Sequence, residues 1–488
     1  MSIRQVFTLV LFVGIFGLCV KPPLDPDMWW HLRTGEYILE NGIPDSDPGF
    51  SFTAGDRVWV THEWLTEVCM AGLYRLWGFW ALSVAFAAIA PLAFGLLFAI
   101  SPGRPYVAGL VVLLGVLASF PIAMARPQIF NLLFGALIIF IVECVRNKRM
   151  NARWLWLFPG LFALWVNMHG GYLLGLVIIG VYVIGDGAEY HFKGQSHERL
   201  KWTEVRLLAV VGACGLIAAL VNPNGYRLWT YAFETLGSST MMDAIAEWLS
   251  PDFHKLEFMP FVFMMLGGWM TLAMSRREVL WTDLLFMLGT SYAALQSRRH
   301  IAVFAIVAVP IISRHLLAIF KGTTWYPVLS GQQFEGTSVS LKRLNWIIFI
   351  LFVLGAGMYV PKQLQKTDDL IQENYPVEAV EILKINDRNL DDMKIFNDYG
   401  WGGFLIWKGI PVFIDGRADL YGDEFLSRYL ETSGAKENWQ EVLETHQITH
   451  ILSRAKSNLS VLVNESKDWR LLHEDDVARV FVREGRAL

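Results

Sequence analysis

Charge is what this chain has least of: only 18% of its 488 residues are Asp, Glu, Lys or Arg, against about 25% in soluble domains. That shortage argues against an ordinary water-soluble protein. The net charge of −4 argues against a nucleic-acid surface, which needs a strong positive excess. Cysteine is also scarce. Cys19, Cys69, Cys144 and Cys214 lie in or beside apolar segments, with neither metal-ligand nor disulfide-framework spacing, and read as small core residues. No glycine-rich loop that would cradle nucleotide phosphates occurs. There is no internal repeat, no low-complexity tract and no pair of interrupted apolar segments of the kind that marks an inverted-repeat transporter. No small-residue cleavage site precedes Lys21-Pro22-Pro23, so the first apolar run is expected to remain as a signal anchor.

What is present is apolar. Hydrophobic residues reach 54% and the mean hydropathy is +0.38. A spanning helix needs about 20 mostly apolar residues. The sequence predicts about eleven spans, at residues 5–21, 80–101, 106–121, 128–145, 154–169, 171–187, 205–222, 258–275, 279–295, 300–318 and 344–361. Lys and Arg collect in cytoplasmic loops. With the N-terminus inside, Arg146, Lys148, Arg149, Arg153, Arg314, Lys321, Lys342 and Arg343 fall on the cytoplasmic side. The odd span count then places residues 362–488 outside. The same arrangement puts the polar motifs on the outer side: the loop 22–79, Arg126, the run from Asn167 to Gly171, the loop 221–260 and Arg298-Arg299-His300. The expected domains are a transmembrane domain, 1–361, with its long first external loop, and an extracytoplasmic α/β domain, 362–488.

In the first loop, residues 27–40 read as an amphipathic helix offering Trp30, Leu32, Tyr37 and Ile38 to a membrane interface, with Trp29 and Trp30 as interfacial anchors. Asn41-Gly42-Ile43-Pro44 stops it. Residues 50–53 and 58–60 are expected to form a hairpin across Gly55-Asp56, and a second helix opens near Trp64. Beyond residue 362, strands are predicted at 393–396, 411–414, 450–452 and 478–482, and helices at 377–385, 422–432 and 438–446.

Several residues carry chemistry. Asp27 reads as a carboxylate that orients or deprotonates an acceptor or binds Mg2+ or Mn2+, and equally as a helix N-cap. Asp25, beside Pro26, serves the site or shapes the turn. His31 shares a helical face with Asp27; Arg33 points elsewhere. His62 and Glu63 are a second candidate pair, with a first-turn helix acid as the alternative for Glu63. Arg126, Arg298, Arg299 and His300 sit at outer span ends, against the positive-inside bias. They fit a lipid phosphate, or lipid headgroups reached by snorkelling. His169, beside Gly170-Gly171, is a candidate lining residue. Asp398-Tyr399-Gly400 and Asp415-Gly416-Arg417 read as loops facing the site or as turns between strands.

The run Asp27-Met28-Trp29-Trp30-His31-Leu32-Arg33 resembles the first external loop of oligosaccharyltransferase catalytic subunits, members of the GT-C superfamily of membrane glycosyltransferases. Asp398-Tyr399-Gly400 resembles the second half of the Trp-Trp-Asp-Tyr-Gly signature with which that family holds its acceptor, with Phe396 and Asn397 standing where the tryptophan pair would be. The resemblance implies a GT-C-like polytopic helical fold and a polyprenyl-phosphate-linked sugar donor. It further implies transfer to a glycan, lipid or protein acceptor on the outer face of the plasma membrane. Asp27 would act as base or cation ligand, with Asp25 and His31 beside it. Arg126, Arg298, Arg299 and His300 would hold the donor phosphate. Arg33, His62, Glu63, His169, Asp398, Tyr399, Asp415 and Arg417 would line the substrate. One departure is plain: the family's second external loop carries an acidic pair completing a metal site, and residues 120–128 have no acid. That argues against metal dependence and against peptide glycosylation. The rival readings are a glycan polymerase or ligase using the same donor, a polysaccharide or lipid transporter, and an inactive assembly subunit.

Overall fold

Apolar runs of this length must satisfy their own backbone hydrogen bonds, and in lipid only helices do so segment by segment. The computed structural model, which describes residues 1–55, 57–122, 124–193, 199–332, 338–386 and 392–485, is accordingly mostly helical. Every expected span coincides with an apolar helix. Among the described residues, six helical runs are long and apolar enough to cross a membrane: Trp64–Ile100, Ile129–Arg146, Gly170–Phe192, Leu256–Met274, Arg298–Ile319 and Val339–Asn374. Shorter apolar helices occupy the other positions: Ile3–Cys19, Tyr106–Ser119, Leu157–Met168, Trp202–Ala218 and Trp281–Gln296. The chain is a polytopic α-helical membrane protein with a small C-terminal sheet.

The chain packs as two units. One comprises Met1–Lys21, Ser83–Gly225 and Ile245–Leu364; the other comprises Pro22–Leu82, Tyr226–Ala244 and Gln365–Leu488.

In the first unit, two cations expected in cytoplasmic loops are helix-buried instead. Arg146 binds Asp186 at 2.6 Å and Glu143 at 3.1 Å; Arg314 binds Glu143 at 2.8 Å and Asp283 at 2.7 Å. Charges removed from water persist only when opposed by partners like these. The sequence pattern of each helix alone does not reveal which neighbour supplies the partner.

The second unit holds a four-stranded sheet in the order β1-β2-β4-β3, with β1 at Ile395–Asn397, β2 at His450–Arg454, β3 at Trp469–Glu474 and β4 at Ala478–Arg483. β1 and β2 run parallel; β4 is antiparallel to both β2 and β3. Of the expected strands, three are present, and β3 is additional. Residues 411–414 are not a ladder strand: Val412 makes isolated bridges to Ile395 and Ser51. The expected hairpin of residues 50–53 with 58–60 also gives way to long-range pairing. Phe52 N–H donates to the Val412 carbonyl at 3.2 Å and Val412 N–H to that of Phe50 at 2.9 Å, while Val58 bridges to Ser46. Asp56, at the expected turn, lies outside the described residues. Helices Val377–Asn386, Asp423–Ser433 and Trp439–Thr445 match their expected positions.

The helix Met28–Asn41 ends at Gly42, whose φ of +88° is the left-handed geometry that glycine supplies at little cost. It is not interfacial. Trp29 is only 2% exposed and packs edge-to-face on Phe79, Tyr375 and Phe404, with centroids 5.1–5.5 Å apart. Trp30 and Leu32 are buried too. The apolar face that suggested a membrane surface is covered by the protein itself.

Candidate functional site

In the second unit, close backbone approach organises the first-loop residues. Gly403, in the short helix Gly402–Trp407, faces Pro26 and Trp30 so tightly that a Cβ there would strike the Pro26 carbonyl. A Cβ on Gly416 would fall on the Asp27 carboxylate. Asp27 is the residue preceding Met28–Asn41, yet its side chain makes no capping hydrogen bond. Its Oδ1 accepts from the Trp30 indole N–H at 3.2 Å, and its backbone N–H donates to Asp25 Oδ1 at 3.0 Å. Asp25 thus forms an Asx-turn: its buried carboxylate shapes the turn and fixes the backbone that carries Asp27.

The His31 imidazole faces two acids of the segment that opens the next helix. Its Nδ1 lies 3.0 Å from Glu67 Oε1 and its Nε2 3.5 Å from Glu63 Oε2. Arg33 is more exposed and pairs with Glu36 at 3.3 Å. His62 stacks on Tyr231, with centroids 4.5 Å apart, and its Nε2 lies 3.5 Å from Glu63 Oε1. Burial works against its charge, but Glu63 and Asp419 outweigh burial and hold the imidazole above its ordinary pKa.

Asp398 caps the turn at Tyr399–Trp401, accepting from Gly400 N–H at 3.0 Å, and pairs with Arg454 at 3.0 Å. The Tyr399 hydroxyl donates to the Gly416 carbonyl at 3.4 Å. Asp415 and Arg417 are fully buried. Arg417 Nε and Nη2 donate to the two Asp415 oxygens at 2.8 and 2.7 Å, and Nη1 to Asp47 at 2.7 Å. Burial alone would raise the Asp415 pKa, but Arg417 and the Tyr421 hydroxyl hold it below the usual carboxylate range. This pair locks the loop that presents Gly416 to Asp27.

The first unit collects the other candidates. Arg126 pairs with Glu247, and Arg299 Nε lies 3.3 Å from the second Glu247 oxygen. The segment around Glu247 is strapped to the turn before helix Ile301–Ile319: Arg298 N–H donates to the Leu249 carbonyl, and Arg299 N–H and Ser297 Oγ to that of Glu247. Arg298 lies over the Phe258 ring, 5.5 Å from its centroid. His169 accepts from Gly171 N–H at 2.8 Å and adds positive potential at Glu247. Arg126, Arg299 and His169 thus gather around one acid, with the Arg298 guanidinium turned to Phe258. Two arginines sharing one carboxylate retain a net positive charge, as an anion site requires.

Burial would raise the Glu247 pKa, but Arg126 and Arg299 reverse the effect and hold it below the ordinary value. A depressed carboxylate contributes stability that is present above its unfolded pKa, about 4.3, and is lost as pH falls through the folded value. Glu247→Gln is therefore expected to lower the melting temperature at pH 6–7, with the gap to wild type closing below about pH 4. Paired thermal melts across pH check this.

Sequence reading missed two members. Glu67 is one, although its spacing of four from Glu63 places both acids on one helical face. Glu247 is the other, an isolated acid in a polar loop with no sequence signal. Among the described residues, the groups able to surround a cation are His31, Glu63 and Glu67, and the more exposed Glu378, His473 and Asp475; Asp27 is in neither.

No protein-family model and no curated protein matches the chain. Its structure is similar to that of ArnT from Cupriavidus metallidurans in the apo state, at 12% identity over 98% of this chain and 97% of that one, with a TM-score of 0.56. The same protein bound to undecaprenyl phosphate matches at 11% identity over 98% and 97%, with a TM-score of 0.50. The archaeal oligosaccharyltransferase AglB from Archaeoglobus fulgidus, in complex with an inhibitory peptide and a dolichol-phosphate, matches at 12% identity over 93% of this chain and 69% of that one, with a TM-score of 0.52. At such identities the likeness establishes the fold alone, the one that ArnT and AglB share with this chain.

Proposed function

We propose that this protein is a GT-C-type glycosyltransferase. It moves a sugar or oligosaccharide from a polyprenyl-phosphate-linked donor to a glycan, lipid or protein hydroxyl on the outer face of the plasma membrane, with its N-terminus cytoplasmic and residues 362–488 extracytoplasmic. The observation that carries the reading is Asp27. It stands where a helix cap would stand, makes no cap, and is held by Trp30, Asp25 and the bare backbone of Gly416. A carboxylate placed by so many groups, and not used for the helix itself, suits a general base.

Asp27 takes the proton of the acceptor hydroxyl as its oxygen attacks the anomeric carbon. With inversion, one base opposite the leaving group suffices and no carboxylate nucleophile is needed. Arg126 and Arg299, with Arg298 and His300 beside them, offset the charge developing on the departing phosphate. Glu247 keeps the two paired guanidiniums in a fixed fork. Arg33, His62, His169, Asp398 and Tyr399 line the acceptor and donor, while Asp415 and Arg417 hold Gly416 in place. The fold neighbours' bound lipid phosphates, undecaprenyl phosphate and a dolichol-phosphate, support a donor of that chemistry.

The test is an in vitro transfer assay with a panel of polyprenyl-linked sugars, run alongside a vesicle assay for movement of the same lipids. Transfer supports the reading; movement of intact lipid-linked sugar without transfer overturns it in favour of transport. Arg126→Ala and Arg299→Ala should each weaken retention of a labelled polyprenyl-phosphate sugar by roughly 10- to 100-fold, the worth of a charge-assisted hydrogen bond. Unchanged retention in both would remove the donor-phosphate assignment.

A further inference from the structure

The helix Met28–Asn41 and the helix beginning at Trp64 meet where Gly35 has no side chain. A Cβ at Gly35 would run into the Glu67 backbone carbonyl, so the two helices touch backbone to backbone. One turn before Gly35 stands His31; Glu63 and Glu67, four residues apart, face it from the other chain segment. The three residues are 2%, 8% and 1% exposed, and a ligand atom from each lies within 4.8 Å of the others. The contacts are 3.0 Å from His31 Nδ1 to Glu67 and 3.5 Å from Nε2 to Glu63. The second oxygen of Glu67, Oε2, is buried and has no hydrogen-bond partner.

A buried carboxylate oxygen without a partner is costly. Two buried carboxylates facing one imidazole also repel each other, an effect that His62 beside Glu63 and the field of Arg417 at Glu67 offset only in part. A divalent cation corrects both faults at once, giving Oε2 a ligand bond and removing the repulsion between the carboxylates. One imidazole nitrogen with carboxylate oxygens suits zinc and its first-row neighbours better than Mg2+ or Ca2+, which favour all-oxygen shells. Only one ring nitrogen can bind the ion. The other is then left to donate to the remaining carboxylate, the arrangement that orients a ligating histidine. We propose that His31, Glu63 and Glu67 form a buried site for a divalent first-row cation, Zn2+ foremost, between these two helices. The site is separate from Asp27 and does not rest on the transfer reaction.

The experiment uses the full-length protein in detergent, stripped with a chelator, dialysed and titrated with Zn2+. Metal content, calorimetry and zinc-edge X-ray absorption are the readouts. The expected result is about one Zn2+ per chain, a shell of nitrogen and oxygen with a single imidazole, and a rise in melting temperature. Glu67→Gln and His31→Gln should each weaken binding at least tenfold, whereas Asp27→Asn and His473→Gln should bind as wild type does. Absence of stoichiometric Zn2+ on the wild-type protein overturns the proposal and leaves a cluster neutralised by protons. Binding lost in His473→Gln instead moves the ion to the exposed Glu378 group and overturns it too. The wild-type titration decides the matter even if a His31 or Glu67 variant fails to fold.

Discussion

Asp27→Asn is expected to abolish sugar transfer while leaving the folded protein intact. The substitution is nearly isosteric. Asn keeps an oxygen to accept from the Trp30 indole, and no capping bond is lost, because the Asp27 side chain makes none. What disappears is the ability to take a proton. Loss of a general base typically costs 10²- to 10⁴-fold in rate, about 3–5 kcal/mol of barrier. The measurement pairs turnover in the transfer assay with a thermal melt and with retention of the labelled donor lipid, which should both match wild type. Near wild-type turnover would remove the base assignment. A lowered melting temperature would instead assign Asp27 a structural role, which its geometry does not call for.

Arg417→Ala is expected to destabilise the second unit by roughly 3–5 kcal/mol, the usual cost of leaving a buried partner uncompensated. Arg417 answers two buried acids, Asp415 and Asp47, and its guanidinium lies over the Trp59 and Phe50 rings at 4.6 and 5.4 Å from their centroids. Without it, both carboxylates would remain buried without their cation, and the loop carrying Gly416 would lose its anchor. Arg417→Lys should recover only part of the loss, since an ammonium cannot make the forked contact to Asp415 and reach Asp47 as well. Limited proteolysis of residues 365–488 and thermal denaturation in detergent read this out. A variant that melts and resists protease like wild type would show that the pair contributes nothing beyond its mutual desolvation.

The two variants separate what a reader of the sequence could and could not see. Asp27 could be singled out because the residues proposed to carry its chemistry are seven contiguous ones at the end of an apolar segment. The arginines could be singled out for a similar reason: Arg126, Arg298 and Arg299 interrupt apolar runs where a cation needs a reason to be. Their organiser, Glu247, was not, since an acid in a polar loop looks like any other until the chain folds it against two guanidiniums. Glu67 was hidden by its neighbours, an acid inside an apolar helix whose partner, His31, lies on another helix. Arg146 and Arg314 were misread as loop charges because the acids that neutralise them, Glu143, Asp186 and Asp283, are dispersed across helices. Trp29 and Trp30 were misread as interfacial because an aromatic, apolar helical face looks the same whether lipid or protein covers it.

By itself, then, the sequence determined the membrane character, the helical segments and their order, because hydrophobic run length acts locally and must be satisfied helix by helix. It also determined the chemical types available at the first loop. The tertiary structure alone decided that residues 22–82 and 365–488 pack as one unit. It decided too that residues 50–53 pair with Val412 rather than with a neighbour in sequence, and that Gly35, Gly403 and Gly416 are points of backbone contact. Those outcomes depend on charge compensation and close packing between segments hundreds of residues apart, and neither leaves a period or a motif in the chain that carries it.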